Sequence, residues 1–240
     1  MAVVLLVMLG VGCDSNSQSY PGPQPYPGTN AQVSPRGYPG PQGSSSPTSN
    51  PASAATALFD AAERAYQAGQ IDEAIAGYTN VIAANSKYLE AYYNRAIAYD
   101  DKGDQDRAIA DYGKSIEIDP KYARAYYNRG IIYYKQGNWD RAIADYDQTI
   151  ALVPNASRAF NNRGIAYDAK GNSDRAIADY SKAIEIDPSF ADAFMNRGAA
   201  YRDKGAKDLA IADFEAYLRM ANDPSNRSQV EDWLAELKGP

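Results

Sequence analysis

From residue 55 onward, apolar residues return at helical spacing, and the same pattern returns every 34 residues. Tyr92, Ala96 and Tyr99 are four and three places apart, which puts them on one face of a helix. Tyr126, Gly130 and Tyr133 repeat that stripe, followed by Phe160, Gly164 and Tyr167, then Phe194, Gly198 and Tyr201. A glycine comes after each stripe (Gly103, Gly137, Gly171, Gly205), where the left-handed backbone can end a helix. A second stripe follows: Ala108, Tyr112 and Ser115, then Ala142, Tyr146 and Thr149, then Ala176, Tyr180 and Ala183. Pro120, Pro154 and Pro188 halt the second helix, because proline cannot continue its hydrogen bonding. Small residues such as Gly130 and Ala142 let the paired helices approach, and large aromatics fill the space beside them.

Fixed strings set the register. Asp-Arg-Ala-Ile-Ala-Asp-Tyr occupies 106–112, 140–146 and 174–180, and Asn-Arg-Gly or Asn-Arg-Ala begins at 94, 128, 162 and 196. The units run 55–88, 89–122, 123–156, 157–190 and 191–224 without insertion. A period this strict predicts an all-α solenoid of five helix-turn-helix repeats. The first repeat departs, with Leu58, Ala62 and Ala65 on its stripe, and the last has Asn222 and then Pro224 at its end. Terminal repeats differ because one side faces solvent. In the tail, 225–240, Val230, Trp233, Leu234 and Leu237 share a helical face, which predicts a helix that caps the array.

The first 54 residues are of another kind. Residues 1–12 are uninterruptedly apolar or glycine, a helix of roughly 18 Å where a bilayer core needs about 30 Å. That length suits the apolar part of a secretory signal. Leu9-Gly10-Val11-Gly12-Cys13 resembles a bacterial lipobox, which implies acylation of Cys13 and an anchor in the membrane. The alternative is a cleaved signal or uncleaved anchor beside an incidental Cys13. Residues 14–54 are rich in Pro, Gly and Ser, repeat Tyr-Pro-Gly-Pro-Gln at 20–24 and 38–42, and carry only Asp14 and Arg36 as charges. Such a composition buries no core and reads as a disordered linker, a spacer between membrane and folded part.

Charge and chemistry then exclude several functions. The chain has 24 Lys and Arg against 30 Asp and Glu, a net charge of −6, all of it carried after residue 54. A nucleic-acid binder would show a basic face. No His is present and the one Cys is in the leader, which removes the commonest general base and the usual metal ligands. The recurring glycines lie within helices and not in a phosphate loop. The expectation is a non-catalytic protein with no cofactor and no metal.

The residues at this period and in this order resemble the tetratricopeptide repeat across 55–224. That resemblance implies a right-handed superhelix, protein–protein interaction, and a concave groove lined by the first helix of each repeat. Arg95, Arg129, Arg163 and Arg197 stand where the family usually has Leu, and Asp111, Asp145, Asp179 and Asp213 recur in the second helix. The first repeat has Ala61 and Gly77 at the two places, so both partners are missing together, which predicts a structural Arg–Asp pair in each later repeat.

The face opposite the buried stripe should line the groove. It offers Tyr93, Asn94, Arg124, Tyr127, Asn128, Arg158 and Asn162 as candidate binding residues, with Asn196 in the same row. Ile97, Ile131 and Ile165 lie beside them, and Asp100, Asp101 and Asp168 at the far ends. Aromatics and Arg are frequent binding anchors, and Asn can pair with an extended backbone. The Lys and Asn with which family members grip a C-terminal carboxylate are replaced by Tyr93 and Ile97, Tyr127 and Ile131, or Phe59 and Glu63. The function expected is therefore an adaptor binding a protein or peptide segment, lipid-anchored in the bacterial envelope and facing the periplasm. Three alternatives stay open: a self-associating homo-oligomeric scaffold, a soluble periplasmic or secreted form, and a soluble cytoplasmic adaptor.

Overall fold

The computed structural model describes residues 51–220 and 226–239. The apolar leader, Cys13, the tract up to residue 50 and the end of the fifth repeat at 221–224 lie outside the described residues. Eleven helices follow one another, with no strand among the described residues. The first repeat is α1 (Pro51–Gln67) and α2 (Ile71–Ala84), the second α3 (Leu89–Asp101) and α4 (Gln105–Ile118), the third α5 (Ala123–Lys135) and α6 (Trp139–Leu152). The fourth is α7 (Ser157–Ala169) and α8 (Ser173–Ile186), the fifth α9 (Ala191–Asp203) and α10 (Lys207–Met220), and α11 (Arg227–Lys238) closes the chain. The helix α1 begins at Pro51, four residues inside the stretch expected to be linker. Proline is tolerated at a first helical position because its missing N–H has no partner there in any case.

Each turn is made by glycine at positive φ, as at Gly103 (84°) and Gly137 (72°). Within a repeat the two helices meet at a small residue. A Cβ on Gly130 would stand 2.9 Å from Cε1 of Tyr146, and one on Gly164 2.7 Å from Cε1 of Tyr180. The largest fully buried side chains are the second-helix aromatics Tyr78, Tyr112, Tyr146, Tyr180 and Phe214 with Tyr127 and Tyr217, so the core runs between the two helix layers. At the far end α11 buries Val230 and Leu234 against Phe214 and Tyr217, Trp233 packs on Phe214 at 5.3 Å between ring centroids, and Arg202 lies 4.3 Å from the Trp233 ring centroid.

The four Arg–Asp pairs form as the repeat register predicts. Arg95 donates to both oxygens of Asp111 at 2.7 and 2.8 Å, and Arg129, Arg163 and Arg197 do the same to Asp145, Asp179 and Asp213. Each guanidinium sits between the two aromatics of its own first helix, as Arg95 does at 5.7 Å from Tyr92 and 5.8 Å from Tyr99. The stripe read as core is buried at its small residue and at Tyr99 and Phe160, and its aromatics also flank an arginine. Burial pushes the Asp145 and Asp179 carboxyls above the usual carboxylate range, with Arg129 and Arg163 pulling the other way.

Candidate functional site

The first helices α3, α5 and α7 lie side by side, and bonds cross from each to the next. Tyr66 at the end of α1 donates to Asp101, and Lys135 at the end of α5 reaches Asp100 of α3 at 3.2 Å. The expected groove residues divide into two groups.

Four of them are not on the open surface. Tyr93 and Asn128 are buried, at 6% and 7% exposure, and Tyr127 and Asn162 are fully enclosed. Asn128 donates to the Tyr93 hydroxyl at 3.0 Å, and Asn162 to the Tyr127 hydroxyl at 2.9 Å. Asn196 continues the series by donating to Oδ1 of Asn161 at 3.0 Å. This corrects the expectation for Tyr93, Tyr127, Asn128 and Asn162: they form a polar ladder through the joints between repeats. Each first helix is covered by its own second helix on one side and by a neighbouring repeat on another, so the face opposite its stripe is largely enclosed. Ile131 and Ile165 are buried with them.

The other three remain at the surface. Asn94 is half-buried and donates to Oε1 of Glu63 at 2.6 Å, where Glu63 also accepts from Tyr78. Arg124 is exposed at the start of α5, beside Tyr122, whose hydroxyl burial pushes up to about 12 while Arg124 pulls it down. Arg158 is half-buried, 6.0 Å from the Phe190 ring centroid. The repeat register adds residues that reading one helix at a time missed. Glu90 of α3 stands where α5 and α7 hold Arg124 and Arg158, and Asp101 of α3 where α5 holds Lys135. Asp60 and Glu63 add acidic groups on α1, and Asp192 takes the Arg158 place on α9. Tyr134 and Asp168 complete the central part, and burial followed by the Asp168 charge raises the Tyr134 hydroxyl.

Among the described residues no three His, Cys, Asp or Glu side chains are grouped to hold a metal, and no helix is long and apolar enough to cross a membrane. What the surface can do is recognise charge. Acidic side chains predominate on the first helices of the first two repeats, and Arg124, Lys135 and Arg158 follow on α5 and α7, with Asp168 and Asp192 beyond them.

Family models described as tetratricopeptide repeat match residues 98–137, 127–189 and 161–227. No curated protein sequence matches the chain. Among solved structures, MamA is 29% identical over 73% of this chain and 96% of its own, with a TM-score of 0.63. YrrB, described as having an unusual peptide-binding site, is 21% identical over 74% of this chain and 92% of its own, at a TM-score of 0.63. PilF of Pseudomonas aeruginosa is 16% identical over 78% and 86%, at a TM-score of 0.68.

Proposed function

The chain belongs to the tetratricopeptide repeat family, and from that premise we propose that it is a non-catalytic adaptor holding an extended segment of a partner protein across its first helices. The observation that carries this reading is the change of charge along one surface. Asp60, Glu63, Glu90, Asp100 and Asp101 on the first two repeats give way to Arg124 and Lys135 on the third and Arg158 on the fourth, before Asp168 and Asp192 restore acidic groups. A segment with basic residues at one end and acidic residues at the other fits that order in one direction only, and complementary charge sets orientation and rate of encounter. YrrB supports the peptide-binding part through its own peptide site on the same fold.

Synthetic peptides test this directly. Peptides with a basic block followed by an acidic block, the reversed order, and a neutral version are titrated by fluorescence anisotropy against wild type and Arg124→Glu/Arg158→Glu. The bipolar peptide should bind wild type in preference to the neutral one, and the variant should lose that preference. Equal affinity for all peptides, unchanged in the variant, would sink the reading.

The leader extends the proposal to place. Residues 1–12 followed by Cys13 support export and acylation, with the repeats held in the envelope on the periplasmic side by the tract that follows. Cell fractionation of wild type and Cys13→Ser checks it. The wild type is expected with membranes and the variant in the soluble fraction, and a soluble wild-type pool retaining Met1 would contradict export.

A further inference from the structure

Neighbouring repeats are joined by three kinds of side-chain bond, and one joint lacks two of them. The first is an asparagine bond present at every joint: half-buried from Asn94 to Glu63, and buried from Asn128 to Tyr93, Asn162 to Tyr127 and Asn196 to Asn161. In the second, the arginine of one repeat reaches an acceptor on the second helix of the repeat before it. Arg95 donates to Thr79 at 2.9 Å, Arg163 to Asp147 at 2.6 Å and Arg197 to Ser181 at 3.0 Å. In the third, a lysine at the end of a first helix pairs with an aspartate of the preceding repeat: Lys102 with Asp72, Lys170 with Asp140 and Lys204 with Asp174.

Between the second and third repeats, two substitutions remove the second and third kinds together. Gly113 stands where Thr79, Asp147 and Ser181 stand elsewhere, so α4 offers Arg129 no side-chain acceptor. Gln136 stands where Lys102, Lys170 and Lys204 stand, and Asp106 faces an amide in place of an ammonium. An open cleft lies at that spot, lined by Lys102, Gly103, Asp104, Gln105, Asp106 and Gln136. The buried rung at Tyr93 and the exposed Lys135–Asp100 pair still connect the two first helices.

We propose that the joint between the second and third repeats is a hinge built into the solenoid. In such an array each repeat touches only its neighbours, so bending concentrates where the neighbour interaction is weakest. The bonds that remain tie the first helices α3 and α5 together, and those that are missing would tie α5 and the turn after it to the second helix α4. The hinge therefore opens on the second-helix side and pivots about the Asn128–Tyr93 bond. It also falls between the acidic first two repeats and Arg124 of the third, so bending moves the acidic pair of repeats as a body relative to the rest of the array.

Double electron–electron resonance on the full chain tests this, with Cys13→Ser as background and spin labels at equivalent exposed second-helix places. Labels replacing Ala83 and Ala151 span the first two joints, and labels replacing Ala151 and Arg219 span the last two. The first pair should give the broader distance distribution. Gly113→Ser/Gln136→Lys supplies a hydroxyl to Arg129 and an ammonium to Asp106, and should narrow the first distribution to the width of the second. Equal widths in the parent chain, or a broad first distribution unmoved by the double variant, would overturn the hinge. Narrowing by Gly113→Ala alone would overturn the account through missing bonds, because alanine stiffens α4 without offering an acceptor.

Discussion

Asn128 donates its side-chain amide to the Tyr93 hydroxyl at 3.0 Å, across the joint between two repeats and 35 places along the chain. Both side chains are buried, and Asn162 and Tyr127 repeat the bond one unit later. A polar pair enclosed by apolar packing specifies register, because any other alignment would leave a buried donor without an acceptor.

Tyr93→Phe should therefore cost more than the loss of one hydroxyl suggests. It leaves the buried Asn128 amide unsatisfied, a penalty of about 1–3 kcal/mol. Asn196→Leu should cost less than Asn128→Leu, since Oδ1 of Asn196 already has no hydrogen-bond partner and Phe214 stands where Tyr112, Tyr146 and Tyr180 stand. Urea unfolding midpoints give both comparisons, and equal losses for the two Asn variants would contradict the ladder.

The Arg–Asp pairs predict a rescue. Arg129→Leu leaves Asp145 buried without its partner and should destabilise by roughly 3 kcal/mol, at the low end for a broken buried pair. Adding Asp145→Ala should restore most of that loss, because an apolar pair can replace a buried ion pair at little cost. The first repeat carries the natural version of this double change in Ala61 and Gly77. If the double variant is no more stable than Arg129→Leu in chemical denaturation, the cost lies in lost packing and not in the stranded charge.

Burial gives the same carboxyls a dependence on pH. Asp145 and Asp179 are held above the ordinary carboxylate range when folded, so the folded chain binds their protons more tightly than the unfolded chain. Their contribution is fully present below the unfolded-state pKa, near about 4, and is lost as pH rises through the folded-state values. Wild type minus Asp145→Asn/Asp179→Asn should thus show its largest stability advantage near pH 4, shrinking toward neutrality. Denaturation midpoints across that range check it, and an advantage growing with pH would reverse the sign.

The period, the helix pairing, the Arg–Asp pairs and the capping face of α11 were all legible in the amino-acid order. So was their cause, because Arg and Asp vanish together from the first repeat. The depth of Tyr93, Tyr127, Asn128 and Asn162 was not. A helical wheel shows which face meets the partner helix, but solvent and the next repeat look alike on the opposite face. What separates them is a polar residue held at one place in four successive units, with Tyr93, Tyr127 and Asn161 able to accept from the asparagine of the next unit. Gly113 and Gln136 were visible departures from register as well, but their meaning depends on which neighbour the usual residue touches.

Two glycine-to-alanine substitutions should move stability in opposite directions. In helical backbone, alanine is favoured over glycine by about 1 kcal/mol. At Gly113 nothing opposes that gain, since the new Cβ would meet only Arg129 Nη1 at 3.7 Å, an ordinary contact. At Gly164 the Cβ would stand 2.7 Å from Cε1 and 2.9 Å from Cδ1 of Tyr180, and 3.2 Å from the Ala176 carbonyl oxygen. The Tyr180 ring is fully buried and the carbonyl belongs to the backbone of α8, so neither can swing aside. Overpacking of this kind costs about 1–3 kcal/mol, enough to outweigh the helical gain. Gly113→Ala should raise the unfolding midpoint and Gly164→Ala lower it. If both raise it equally, the spacing of α7 and α8 is set by something other than the contact between this glycine and the tyrosine ring.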